Sequence, residues 1–264
     1  MPDVIMNAQS KNVLVLSYNN VGNFGDRLGY HLIHSVLPPN CVVTHGNFHP
    51  WNVPDMEYDL VIIGIGNSLF QPLLTDNLLR LLDKTKRAIG IFGTQYRYQI
   101  DTARMNDIIS RLDIWYARYK DDIENYGNDR DNVVHLGDWL VDAFPMSEST
   151  DPRTLRIGNE IWGNLPLDRT IQEIQSFKRV FSTRLHPLLC ALTSAEEVSY
   201  SEQPDSSGKP SGKFQSMLLD VFQITYPESH FFKVDSAAVV SYKTMVRNNI
   251  RHMESRLSQL LYER

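Results

Sequence analysis

Cysteine is scarce: Cys41 and Cys190 are the only two among 264 residues, far apart and each within an apolar run. That excludes a disulfide scaffold and a cysteine-held zinc site, and it fits reduced thiols in a core. No apolar run approaches the roughly 20 residues of a membrane span, and the first residues lack the basic and apolar regions of a secretory signal. A cytosolic protein with at most peripheral membrane association is the expectation. Basic charge is also in short supply, with 26 Lys and Arg against 31 Asp and Glu and a net charge of -5. Phosphate-backbone binding needs a clustered basic surface that the linear sequence does not offer, so no nucleic-acid partner is expected. Internal repeats and low-complexity tracts are missing. So is the third glycine of a dinucleotide fingerprint after Gly64-x-Gly66, and NAD is not inferred.

What the chain does contain is an alternation of short apolar runs with amphipathic stretches, the pattern of βα units. Strands are expected at 13–16, 41–43, 60–64, 88–93, 114–118 and 133–136, with helices at 26–36, 73–82 and 102–111. At 146–153 the composition turns to Ser, Glu, Thr, Asp and Pro, which marks a linker. A second series follows, with strands at 155–157, 179–182 and 198–200 and helices at 168–177, 186–193 and 214–222. A polar Gly/Ser/Pro loop at 204–212 is long enough to act as a lid, and 236–261 has apolar residues at helical spacing. The expected domains are 1–146 and a smaller unit, 153–264, that carries the C-terminal helix.

The most informative segment is Phe181-Ser182-Thr183-Arg184-Leu185-His186-Pro187, where an apolar run carries a guanidinium and an imidazole into a helical pattern. Open α/β sheets bind ligands at the carboxyl ends of their strands, where a following helix offers free N–H groups to an anion. An anionic ligand is therefore expected near Arg184 and His186.

Several other segments fall at equivalent places. They are Asn20-Val21-Gly22-Asn23-Phe24-Gly25-Asp26-Arg27-Leu28, Gly64-Ile65-Gly66-Asn67-Ser68-Leu69, Ala117-Arg118-Tyr119-Lys120-Asp121, Leu136-Gly137-Asp138, and Tyr200 followed at a distance by Lys213. Together with Arg184-Leu185-His186, and in this order over about residues 13–222, they resemble the polysaccharide pyruvyl transferase family. Tyr119 stands where that family's pattern has an acid, and Trp139 where it has a proline after Gly-Asp. The resemblance implies an α/β fold of two Rossmann-like domains facing each other across a cleft, as in GT-B enzymes, with the second domain reduced. It implies transfer of a pyruvyl group from phosphoenolpyruvate to form a ketal on sugar hydroxyls. The acceptor would be a polysaccharide precursor or lipid-linked oligosaccharide, handled in the cytoplasm or at the inner face of the membrane. No organic cofactor is implied, and nothing in the sequence suggests a bound metal: His31 and His34 lie at helical spacing but lack a third ligand.

The residue types fit that chemistry. A donor with a carboxylate and a phosphate needs cationic clamps, for which Arg184 and Arg118 are candidates through their planar forks. His186 is a proton donor by its ordinary pKa or an aid to phosphate departure, Asp26 a base or an orienting group for the acceptor, and Lys213 a neutraliser of the departing phosphate. Asn23, Gly25, Gly66, Asn67 and Tyr200 complete the expected substrate contacts. Each has a plainer alternative: Asp26 or His186 as a helix cap, Gly22, Gly25, Gly64 and Gly66 as turn formers, Arg118 paired with Asp121 or Asp122, and Arg184 or Lys213 as a solvated surface charge. Two rival functions stay open. One is glycosyl transfer from a nucleotide sugar, and the other a non-catalytic carbohydrate-binding relative.

Overall fold

In the computed structural model, residues 10–18, 23–95, 100–127, 130–158, 165–204 and 208–262 are described. Gly22 and residues 205–207 of the loop at 204–212 fall outside them. The first unit is a parallel sheet built from β1 (Lys11–Ser17), β2 (Cys41–Asn47), β3 (Leu60–Ile63), β5 (Ala88–Thr94), β6 (Ile114–Ala117) and β7 (Val133–His135), in the order β2-β1-β3-β5-β6-β7. A two-residue strand, β4 (Ser68–Leu69), pairs with the end of β5. Helices α1 (Phe24–Val36), α2 (Asp76–Lys84), α3 (Thr102–Ser110) and α4 (Lys120–Tyr126) complete the crossovers.

The central strands β1, β3, β5 and β6 are near-continuous apolar runs because both faces of the sheet are covered there. On β1, Val13 and Val15 join one core and Leu14 and Leu16 the other, as the two-residue alternation of a strand requires. β1 is the switch point, with β2 on one side and β3 on the other. A crevice therefore opens at its carboxyl end.

The second unit is smaller. Its sheet runs β11-β10-β9-β8, with β8 (Asp151–Ile157), β9 (Phe177–Ser182) and β10 (Glu197–Tyr200) parallel and the two-residue β11 (Phe232–Lys233) antiparallel. Helices α5 (Leu167–Ser176), α6 (Leu185–Ala191) and α7 (Lys213–Phe222) pack on it. The molecule is thus two Rossmann-like α/β units facing across a cleft, the second reduced. One apolar core runs through both, from Val13 and Phe24 to Val180 and Leu188. The polar stretch at 146–153 is pinned rather than loose: Ser147 N–H donates to Thr193 O at 3.1 Å and Thr150 N–H to Ser176 O at 2.9 Å.

Helix α8 (Ser236–Tyr262) buries Val239, Tyr242, Val246, Ile250, Met253, Leu257 and Leu261, a stripe at three- and four-residue steps. It follows the second unit in sequence but is bonded to the first. Lys243 Nζ donates to Val141 O and Phe144 O at 2.5 Å each, and Asn249 Nδ2 to His135 O at 3.0 Å.

Some elements differ from the sequence expectation. α4 was not expected, because its stretch is polar apart from Ile123 and Tyr126. It forms because the Asp122 carboxylate accepts from Tyr119 N at 3.1 Å and caps the first turn. The helix expected from residue 73 begins at Asp76, capped by Thr75, after a single 3-10 turn at Gln71–Leu73 that contains Pro72. Gly64 has left the strand, with φ 78. Cys190 is buried and Cys41 half-buried, and both are free thiols.

Candidate functional site

The cleft between the units holds a cavity of about 300 Å³. From the first unit it is lined by residues that follow parallel strands: Tyr18, Asn23, Gly25 and Asp26 after β1, Asn67 and Ser68 after β3, Gln95 after β5 and Arg118 after β6. The second unit adds Arg184 and His186 after β9, Gln203 after β10, and Lys213 at the start of α7. The cavity therefore lies at the carboxyl ends of both sheets, where α/β folds place ligands.

Asn23, not Asp26, caps α1: its Oδ1 accepts from Asp26 N at 3.0 Å, and its Nδ2 donates back to the Asp26 carboxylate. This fixes Asp26 at the cavity wall with 5 % of its surface exposed. Burial raises its carboxyl to about 7, against the opposing pull of the Asn23 bond and of Arg118. Near neutral pH a large share of Asp26 is protonated.

Gly25 lies inside α1 rather than in a turn, and its value is its size. A β-carbon there would come within 1.8 Å of His186 Nδ1. Gly64 and Gly66, by contrast, are turn formers, with φ 78 and φ 106. Gly66 does not line the cavity; its carbonyl accepts from Arg118 Nη1. Tyr200 is also away from the cavity. It is wholly buried, stacks on Phe214 and donates from its hydroxyl to Tyr226 O at 2.7 Å.

Arg118 is 3 % exposed, donates from Nη2 to Ser68 Oγ at 2.6 Å and lies over the Tyr119 ring at 4.7 Å. It forms no ion pair with Asp121 or Asp122. Asp121 accepts from Ser216 Oγ at 2.7 Å, and Asp122 takes Thr94 N at 2.8 Å. Arg184 is the half-buried N-cap residue of α6, its backbone held by reciprocal bonds with Ser182 Oγ at 2.8 and 2.9 Å. Lys213 Nζ donates to Gln203 Oε1 at 2.7 Å. Burial, then Arg118, lowers the Lys213 ammonium to about 8, with Glu202 opposing and Arg184 adding to the fall. Three cations thus share one small cleft.

His186 sits in the first turn of α6 and caps nothing. Burial first, then Arg118 and Lys213, holds its imidazole well below the usual range, so it is neutral at neutral pH. Its Nε2 is 3.6 Å from Asp138 Oδ2.

Sequence reasoning missed two acidic groups beside the cavity. Asp138, given no role in the sequence reading beyond its place in Leu136-Gly137-Asp138, stands just after β7 and Glu202 just after β10, so the strand-end rule that pointed to Arg184 applied to both. Glu202 is buried and caps α7, accepting from Phe214 N at 2.9 Å and Ser211 Oγ at 2.6 Å. A larger depression of about 560 Å³ lies between α2 and the segment that precedes β3. Its charges, among them Asp55, Arg80, Lys84 and Lys86, are exposed, and none of the residues discussed above lines it. His34 packs against His45, with ring centroids 5.5 Å apart, rather than pairing with His31. Among the described residues no group of three or more His, Cys, Asp or Glu is arranged to hold a metal, and no helix is long and apolar enough to cross a membrane.

No known family's sequence profile matches the chain, and no curated protein matches it by sequence. Solved structures do match. An uncharacterized protein from Klebsiella pneumoniae superposes with a TM-score of 0.51 at 15% identity, over 79% of this chain and 87% of its own. UDP-GlcNAc 2-epimerase from Methanocaldococcus jannaschii gives a TM-score of 0.45 at 6% identity, over 89% and 92%. An alpha-glucosyltransferase in complex with UDP and a 13-mer DNA containing a HMU base gives 0.41 at 10% identity, over 96% and 95%.

Proposed function

We propose that this protein is a pyruvyl transferase that moves the three-carbon unit of phosphoenolpyruvate onto two hydroxyls of a sugar, in polysaccharide or lipid-linked oligosaccharide assembly. The observation that carries the reading is the convergence of Arg118, Arg184 and Lys213 with Asp26 and His186 on one cavity of about 300 Å³. That volume is at the small end of ligand clefts, about 300–1,000 Å³, and suits a compact phosphate and carboxylate better than a whole nucleotide sugar.

The side chains divide the chemistry. Arg184 and Lys213 take the phosphate and Arg118 reinforces their field, so that charge is stabilised as it moves to the leaving group. Asp26, with a carboxyl at about 7, gives its proton to the methylene carbon. That carbon becomes a methyl group, and the adjacent carbon becomes an oxocarbenium ion. Neutral His186 takes the proton of the first sugar hydroxyl as its oxygen attacks that carbon. The carbon–oxygen bond to phosphate then breaks and phosphate leaves with the electron pair. The second hydroxyl closes the ketal and loses its proton, which goes to phosphate or to Asp26. His186 thus serves as base and Asp26 as acid, the reverse of the roles assigned from their ordinary pKa values.

The test is calorimetric binding of phosphoenolpyruvate to the wild type and to Arg184→Ala, with a panel of nucleotide sugars alongside, followed by phosphate release with acceptor glycans. Loss of hydrogen bonds to a charged group, about 1.5–3 kcal/mol, weakens phosphoenolpyruvate about 10- to 100-fold in the variant. No binding of phosphoenolpyruvate together with binding of one nucleotide sugar would replace this reading with glycosyl transfer.

A further inference from the structure

Asp138 is wholly buried, and neither carboxylate oxygen has a hydrogen-bond partner of good geometry among the described residues. His186 Nε2 likewise has no partner of good geometry, although the Gly66 carbonyl also acts on the ring. A buried polar atom left without a partner is costly, and here two such groups face each other at 3.6 Å. A shift of a few tenths of an ångström makes them a hydrogen-bonded pair.

The surroundings hold both partners in place. Asp138 N–H donates to the Tyr242 hydroxyl of α8 at 2.6 Å, and the adjacent Trp139 Nε1 donates to Ile65 O at 3.1 Å. On the other edge of the imidazole, Nδ1 is the atom nearest the space that a Gly25 side chain would fill, and Gly25 lines the cavity. The ring therefore has its Nε2 edge against a sealed carboxylate and its Nδ1 edge packed beside Gly25, with His186 and Gly25 both part of the cavity wall.

We propose that Asp138 is a positioning residue that keeps the proton of neutral His186 on Nε2, leaving Nδ1, at the cavity wall beside Gly25, as the proton acceptor. A carboxylate can only accept from an N–H, so it selects the tautomer with hydrogen on the nitrogen it faces. Burial raises the Asp138 carboxyl to about 6, which leaves it mainly ionised at pH 8. The kinetic consequence rests on the transfer reaction proposed above; the tautomer does not.

The test is nitrogen-15 NMR of histidine-labelled protein at pH 8, with the His186 signals assigned by their loss in His186→Gln. The wild type should show a neutral ring protonated at Nε2. In Asp138→Asn the amide can donate to Nε2, and the proton should move to Nδ1. Phosphoenolpyruvate binding should stay within about threefold while phosphate release falls about 100-fold or more, since a wrong tautomer disables a histidine base without disturbing the ligand clamps. A wild-type proton on Nδ1 would overturn the proposal. So would an unchanged tautomer in Asp138→Asn. A wild-type proton on Nδ1 overturns the proposal even where the variant does not fold. Absence of phosphate release by the wild type would count against the transfer reaction alone.

Discussion

Asp26→Asn should make the protein more stable and less active, and the gain in stability should grow with pH. A carboxyl raised from 3.8 to about 7 by burial is favoured in its neutral form by the fold. Between those two pH values the unfolded chain has lost the proton and the native protein still holds it, so stability falls as pH rises. At about 1.4 kcal/mol per pH unit, the accumulated cost above pH 7 is about 4 kcal/mol. The Asn23 bond and the Arg118 charge are already included, because both act against the shift. Asparagine has nearly the same shape, keeps an oxygen for the Asn23 amide and cannot ionise. Denaturant unfolding of wild type and variant from pH 4 to pH 8.5 isolates this group, since the other titrations cancel in the difference. The difference should be flat below pH 4, move in favour of the variant through pH 4–7 and level off near 4 kcal/mol. The same variant should release phosphate at least about 100-fold more slowly, as the loss of a general acid implies. A stability difference that does not change with pH would refute the claim that Asp26 is a carboxyl held neutral by burial, and with it the role of proton donor.

Two further substitutions separate the site from its scaffold. Gly25→Ala should displace the His186 ring, because the new methyl would start 1.8 Å from Nδ1; overpacking of this kind costs about 1–3 kcal/mol, and phosphate release should fall with little change in phosphoenolpyruvate binding by calorimetry. Tyr200→Phe should remove the donor to Tyr226 O and cost about 1 kcal/mol in unfolding measurements, with phosphoenolpyruvate affinity unchanged because the ring lies outside the cavity.

Much of the fold was legible because strand ends are marked twice in the sequence. An apolar run stops, and a polar or glycine residue follows, as at Ser17, Gly64, Arg118 and Thr183. That rule pointed to Asp26 and Arg184, and both line the cavity, as does Arg118, which the family resemblance singled out. Tyr200, expected from the same resemblance, does not, for a reason the sequence contained: Val198 and Tyr200 share a strand face, and Val198 is a core residue, so the alternation sends Tyr200 inward as well. The destination of α8 was not legible, because a 3.6-residue period says that a face is buried but not against what. Asp138 was missed as a partner of His186 because the contact joins two units through a core they share, and no local spacing encodes it.

The exchange of roles proposed for Asp26 and His186 turns on what composition leaves out. By ordinary pKa an imidazole gives a proton near neutral pH and a carboxylate takes one. Burial disfavours the charged form of each, so it makes the carboxyl an acid and the imidazole a base. The cations beside His186 push the same way, and on the proposed reaction they also bind the donor. On that reaction the entry of phosphoenolpyruvate would offset Arg118 and Lys213 with negative charge, and the proton affinity of His186 would rise. The same charge would raise the Asp26 carboxyl further and keep its proton in place until the carbon could receive it. Donor binding would thus prepare both the acid and the base, and a site left empty would hold His186 as a weak base that activates few hydroxyls, water included.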